Sequence, residues 1–103
     1  MTVGILGQAN PTANTNTTVY TVPSAVSATC NISVVNTGGT GATVSIAIAA
    51  TGTPATAEYI EFNAPLATGQ VLERGGLVAQ TGKNFVVNCS TGSCAVSIYG
   101  FEQ

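Results

Sequence analysis

The 103-residue chain predicts an all-β fold, an antiparallel β-sandwich of about seven or eight short strands. Three observations carry that expectation. Apolar side chains recur at every second residue and not at the helical period. The segments with this pattern are rich in Val, Ile and Thr, whose branched side chains pack well on a pleated surface. Clusters of Gly, Pro, Asn and Ser separate them at short intervals, and no segment combines a helical period with caps. Immunoglobulin-like and jelly-roll connectivities both satisfy this pattern.

The elements follow in order. The apolar stretch Val3-Gly4-Ile5-Leu6 precedes Gln8 to Asn16, a polar run that contains Pro11 and has no apolar face. Such a run cannot bury enough surface to fold by itself. Residues 1–16 are therefore expected to form an extended N-terminal arm, or a first strand plus linker. Residues 17–103 are expected to form a single β-sandwich domain, in keeping with the chain's length. Thr17 to Val22 is a β-branched run around Tyr20. From Val26 to Val34 the alternation is clearest: Val26, Ala28, Cys30, Ile32 and Val34 point one way, Ser27, Thr29, Asn31 and Ser33 the other.

Val44, Ile46, Ile48 and Ala50 continue the pattern, as do Ile60 with Phe62, Phe85 with Val87 and Cys89, and Val96 with Ile98. Two shorter strands are expected at Gln70 to Glu73 and Leu77 to Gln80, separated by a turn at Gly75-Gly76. Further turns are expected at Pro23-Ser24, 36–41, 51–54, Asn63-Ala64-Pro65, Thr81-Gly82 and Thr91-Gly92. The aromatics Tyr20, Tyr59, Phe62, Phe85, Tyr99 and Phe101 each stand alone in a strand. Most are expected in the core and not on a stacking platform.

Composition narrows the function. The chain has no His, no Asp and no Trp, and only Glu58, Glu61, Glu73, Arg74, Lys83 and Glu102 carry charge. A Ser, Thr or Cys nucleophile lacks the His that usually takes its proton. Lys83 sits at an expected hairpin tip and is a poor substitute. Glu58 and Glu61, three apart on an expected strand, point to opposite faces and cannot flank one glycosidic bond. Glu73 and Arg74 diverge for the same reason. Three cysteines without Cys-x-x-Cys spacing do not match a zinc site, and four scattered glutamates do not match a calcium site. Two cations cannot neutralise a phosphate backbone, so nucleic-acid binding is not expected. No enzyme activity, cofactor or metal is expected.

No apolar run approaches the ~18–20 residues of a membrane helix. The opening Met1 to Gly7 has no basic n-region, so an unprocessed protein made in the cytoplasm is expected. Asn-x-Ser/Thr acceptors occur at Asn16, Asn31 and Asn88 and, in that setting, are expected to carry no function. Cys30, Cys89 and Cys94 make an odd count, which argues against a secreted disulfide framework. Cys89 and Cys94 flank an expected hairpin loop and could bond if oxidised. The composition favours the simpler reading, three small buried hydrophobes.

One resemblance covers nearly the whole chain. Leu6-Gly7-Gln8, a Pro soon after, and Thr17-Thr18-Val19-Tyr20-Thr21-Val22-Pro23 resemble a family of small tailed-phage virion structural proteins. So do Val34-Val35-Asn36, Ala42-Thr43-Val44-Ser45-Ile46-Ala47-Ile48, and Tyr59-Ile60-Glu61-Phe62-Asn63-Ala64-Pro65-Leu66. The ending Val96-Ser97-Ile98-Tyr99-Gly100-Phe101-Glu102 is similar to the last strand of such proteins, those of cyanophages in particular. The Gly-rich loop at 36–41, without the basic residue often found there, departs from the pattern.

The resemblance implies a non-enzymatic place in a virion, made in the host cytoplasm. A capsid decoration or cement protein is expected first, a tail, neck or fibre component second. A carbohydrate- or receptor-binding module is the alternative from another class. Expected partners are the major capsid protein or another virion protein, with homo-oligomerisation and neither nucleic acid nor membrane. Val3, Ile5 and Leu6 are the candidate contact residues. A surface of Thr, Ser, Ala and Asn packs against protein at less desolvation cost than a charged one.

Overall fold

A computed structural model describes residues 2–103; Met1, included in the expected arm, lies outside them. Among these residues are eight strands: β1 (Val3–Ala9), β2 (Thr17–Thr21), β3 (Ala28–Asn36), β4 (Ala42–Ala49), β5 (Tyr59–Leu66), β6 (Val71–Ala79), β7 (Asn84–Cys89) and β8 (Cys94–Glu102). One 3-10 turn, Thr56–Glu58, precedes β5.

The strands form two antiparallel sheets. Sheet I has the order β1-β8-β3-β6 and sheet II the order β2-β7-β4-β5. Strand β1 pairs with β8, β2 with β7, β3 with β6 and β4 with β5, like one long hairpin rolled up on itself. Pairings of β3 with β8 and of β4 with β7 close the sheets. This is jelly-roll connectivity, which resolves the choice left open by the strand pattern. Every connection crosses from one sheet to the other except that between β4 and β5, which stays in sheet II.

The core lies between the sheets and follows the alternation. Along β3 every second residue, from Ala28 through Cys30, Ile32 and Val34 to Asn36, is buried. Ile32, Ile46, Ile98 and Phe85 are completely enclosed. Each such side chain contributes about 1.5–3 kcal/mol of burial free energy. Asn36 is the buried polar exception. Its Nδ2 donates to the carbonyls of Thr40 (2.8 Å) and Leu66 (3.1 Å), and its Oδ1 accepts from the Gly38 N–H (3.0 Å). The Gly-rich 36–41 loop is thus tied to the end of β5.

Two turn expectations need correction, and the N-terminus takes the second of its two readings, a first strand and not an arm. Val3–Ala9 is the edge strand β1, paired antiparallel with β8 except at Leu6, where the register shifts. The polar link behind it is also anchored: Pro11 is fully buried, the Asn14 N–H donates to the Cys89 carbonyl (2.8 Å), and Asn88 Nδ2 donates to Asn16 Oδ1 (2.9 Å). Gly75-Gly76 is not a turn between two strands. It is a bulge within β6, where the register against β3 shifts around Asn31, whose Oδ1 accepts the Gly76 N–H (3.1 Å). Asn63-Ala64-Pro65 likewise lies inside β5, with Asn63 at φ 49° and Pro65 tolerated because β5 is an edge.

Cys89 and Cys94 are joined by a disulfide across the β7–β8 loop, so they are not free thiols. Closing so short a loop stabilises by about 2 kcal/mol in the chain-entropy account. Only Cys30 is free, and it is buried. At Gly100 (φ 154°) a Cβ would run into the Thr29 carbonyl oxygen, so β8 can lie this close to β3 only with glycine there.

Candidate interaction surface

The two outer faces differ, and the unequal connections explain why. The β4–β5 segment, residues 50–58, has no sheet to cross to and folds back over sheet II. Gly52 reaches to within 3.6 Å of Thr18 Oγ1 on the far edge strand, measured from the position of a Cβ on that glycine. Beneath this strap Val86, Ala47 and Ala49 are buried although they point away from the core. Glu58 holds the strap in place. Its Oε1 accepts from the Ala55 N–H (2.8 Å) and its Oε2 from the Ala50 N–H (3.0 Å). Those two backbone donors, Ala55 first, keep the Glu58 carboxyl below the usual glutamate range.

The outer face of sheet I has no such cover. Its first transverse row runs Val3, Phe101, Thr29, Val78 across all four strands. Val3 is 71% exposed, Val78 68% and Phe101 38%. In the next row Ile5 (54% exposed) lies beside Tyr99, and Tyr99 beside Asn31. A polar strip follows: Gln8, Ser97, Ser33 and Glu73, with Gln8 Nε2 donating to Ser97 Oγ (3.2 Å). Ala95, Val35 and the exposed Val71 form the far row. Among the described residues, Glu73 is the one charged side chain on this face.

The remaining charges sit elsewhere. Arg74, next to Glu73 but on the opposite side of β6, pairs with Glu61 on β5 and latches the two sheets along that flank. Glu102 is buried between the sheets, where its Oε2 accepts from the Tyr20 hydroxyl at 2.5 Å. Burial, then the hydrogen bond and negative charge of Glu102, pushes the Tyr20 hydroxyl far above its usual range. Burial also pushes the Cys30 thiol up to about 11, where it is not nucleophilic at neutral pH. The flank formed by β1 and β2 carries no charged side chain, because the first 57 residues contain none.

Of the three candidate contact residues, the structure brings Val3 and Ile5 together on the outer face. Leu6 is a correction: a register shift between Ile5 and Gly7 turns its side chain onto the core. The aromatics need correcting as well. Tyr20 and Phe85 are in the core (ring centroids 5.7 Å apart), whereas Tyr99 and Phe101 lie on the outer face of sheet I. Tyr59 and Phe62 pack edge to face (5.1 Å) on sheet II and, with Thr56, line an open cleft of about 370 Å³. Phe62 is 67% exposed. The sequence did not single out Phe101, Tyr99, Val78 and Val71, which the strand pairings bring to the same outer face.

Among the described residues no group of His, Cys, Asp or Glu is arranged to hold a metal ion. Among the described residues no helix is long and apolar enough to cross a membrane. No family model, curated protein or solved structure matches the chain.

Proposed function

We propose that this protein is a non-enzymatic structural subunit of a phage particle, a decoration or cement protein docked on the capsid shell through the outer face of sheet I. One observation carries the reading. A four-stranded face with apolar rows at both ends and one charged side chain lies open, while the opposite face is partly covered by the chain's own strap. Exposed apolar side chains gathered on one face are characteristic of a protein contact. Jelly rolls also occur in viral capsid proteins, which is an analogy at the level of the fold alone. The action is mechanical: a rigid sandwich lies across neighbouring shell subunits, and symmetric repetition multiplies weak contacts.

The test is the amount of this chain relative to the major capsid protein in purified particles, together with binding of the purified chain to empty shells. Decoration requires a copy number comparable to that of the capsid protein. A far smaller number assigns the chain to the tail, neck or fibre. Val78→Lys, which puts a cation at the β6 end of the apolar row, should weaken shell binding tenfold or more.

A second reading, saccharide binding, is favoured by the Thr56–Tyr59–Phe62 cleft, where an exposed ring offers a stacking surface beside a hydroxyl. Glycan binding by the isolated protein that Phe62→Ala abolishes would establish it.

A further inference from the structure

We infer that the protein forms a two-fold symmetric dimer in which β1 pairs with β1 of a second copy, joining two first sheets into one eight-stranded sheet. The inference rests on the reading of sheet I as the docking face and names a partner for its free edge.

Four strands end the two sheets, and three of them are blunted. Strand β5 is interrupted by Pro65 and by Asn63 at positive φ. Strand β6 carries Glu73, Arg74 and the Gly75-Gly76 bulge. Strand β2 is five residues long, has its own register shift, and is overlaid at Thr18 by the strap. Strand β1 has a register shift too, but it falls beyond Ile5, and its positive φ (119°) is at Gly4, a residue that adopts it without steric cost; from Val3 to Ile5 it has no charged side chain, no proline and no cover.

The ladder decides which groups are free. The Glu102 N–H donates to the Thr2 carbonyl (2.9 Å), so Thr2 and Glu102 form a hydrogen-bonded pair. In an antiparallel ladder such pairs alternate, which makes Gly4 and Gly100 the next one. The N–H and C=O groups of Val3 and Ile5 therefore point away from β8, toward the open edge.

That edge is complementary to itself. With a two-fold axis at Gly4, Val3 of one copy lies opposite Ile5 of the other. Each such pair exchanges two hydrogen bonds, and there are two pairs. Gly4 meets Gly4 at the axis, where the absence of side chains suits the shorter spacing of a non-hydrogen-bonded pair. A two-fold axis brings every charge near it up against its own copy, and like charges directly opposite destabilise a sheet. The β1 flank has none to repel. Val3 and Ile5 are among the most exposed apolar side chains of the molecule. They would pack across the axis and carry the Val3–Phe101 and Ile5–Tyr99 rows through both copies.

The partner is thus a second copy of this chain, and the dimer presents two docking faces side by side. Such a bivalent unit binds a shell far more tightly than one face does.

Sedimentation equilibrium of the purified chain tests this. The expected mass is twice 10.2 kDa at high micromolar concentration. Val3→Lys and Ile5→Lys should each return the monomer, with circular dichroism unchanged because both side chains are exposed, and with a thermal midpoint that no longer depends on protein concentration. Val78→Lys, on the far edge of the same face, should leave the dimer intact. A wild-type chain that stays monomeric, or a dimer that survives both lysines, overturns the inference. Shell binding that Val78→Lys weakens in a monomeric chain would retain the docking reading and reject the dimer. A dimer that Val3→Lys abolishes, with shell binding indifferent to Val78→Lys, would do the reverse.

Discussion

At the scale of single residues, four of the six charged side chains have a definite structural task. Glu61 and Arg74 latch the two sheets, Glu58 fastens the strap, and Glu102 receives the Tyr20 hydroxyl inside the sandwich. Tyr20→Phe removes that donor and leaves a buried carboxyl oxygen without its partner, a loss of about 1–3 kcal/mol. Because the hydroxyl's pKa is raised in the folded state, the wild-type contribution is full below about pH 10, where an unfolded tyrosine titrates. It declines as pH rises beyond that. Urea denaturation of both proteins should therefore show the gap between wild type and Tyr20→Phe narrowing in alkali. A gap that is constant with pH would refute the assignment. The Tyr20–Glu102 pair was not legible in the sequence, since the two residues lie 82 positions apart and only the fold brings them together.

At the scale of elements, the alternating pattern located the strands well and their interruptions poorly. Gly75-Gly76 and Asn63-Ala64-Pro65 have the composition of turns, yet each sits within a strand. Turn chemistry and bulge chemistry ask for the same residues, those that tolerate positive φ or need no ladder partner. The pairing partner decides between them. The strap over sheet II follows from connectivity in the same way. At neutral pH the Glu58 carboxylate binds the Ala50 and Ala55 amides. Since its pKa is lowered, this contribution is present above the ordinary glutamate range and is lost as pH falls below it. Glu58→Gln, or acidification of the wild type, should lower the hydrogen-exchange protection factors at Ala50 and Ala55 and uncover Val86 while the core amides stay protected. Unchanged protection at those two amides would show that the strap is held by other contacts.

At the scale of the whole molecule, the distribution of charge and cover gives the sandwich two unlike sides. Sheet I is open and nearly uncharged outside, sheet II is strapped, and the charged flank of β5 and β6 lies opposite the uncharged flank of β1 and β2. A contact made through such a face depends on apolar burial and packing, and Coulombic attraction adds little to it. Binding to empty shells, followed by co-sedimentation, should therefore change less than about threefold between low and high salt. A steep loss with salt would mean that Glu73 or the β5–β6 flank makes the contact instead.

The sequence by itself determined the fold class, the aliphatic part of the core and which residue types are absent. Each of these is local or additive: alternation places a residue inside or outside, and a residue type that is absent cannot act. The choice of a jelly roll, the inclusion of Val3–Ala9 as an edge strand, and the gathering of Val3, Ile5, Phe101, Tyr99 and Val78 on one face came only with the tertiary structure. These depend on which strand pairs with which, and in what register. Alternation says only that a side chain points away from its own core. Whether solvent, a strap or another molecule meets it there depends on neighbours far away in the chain.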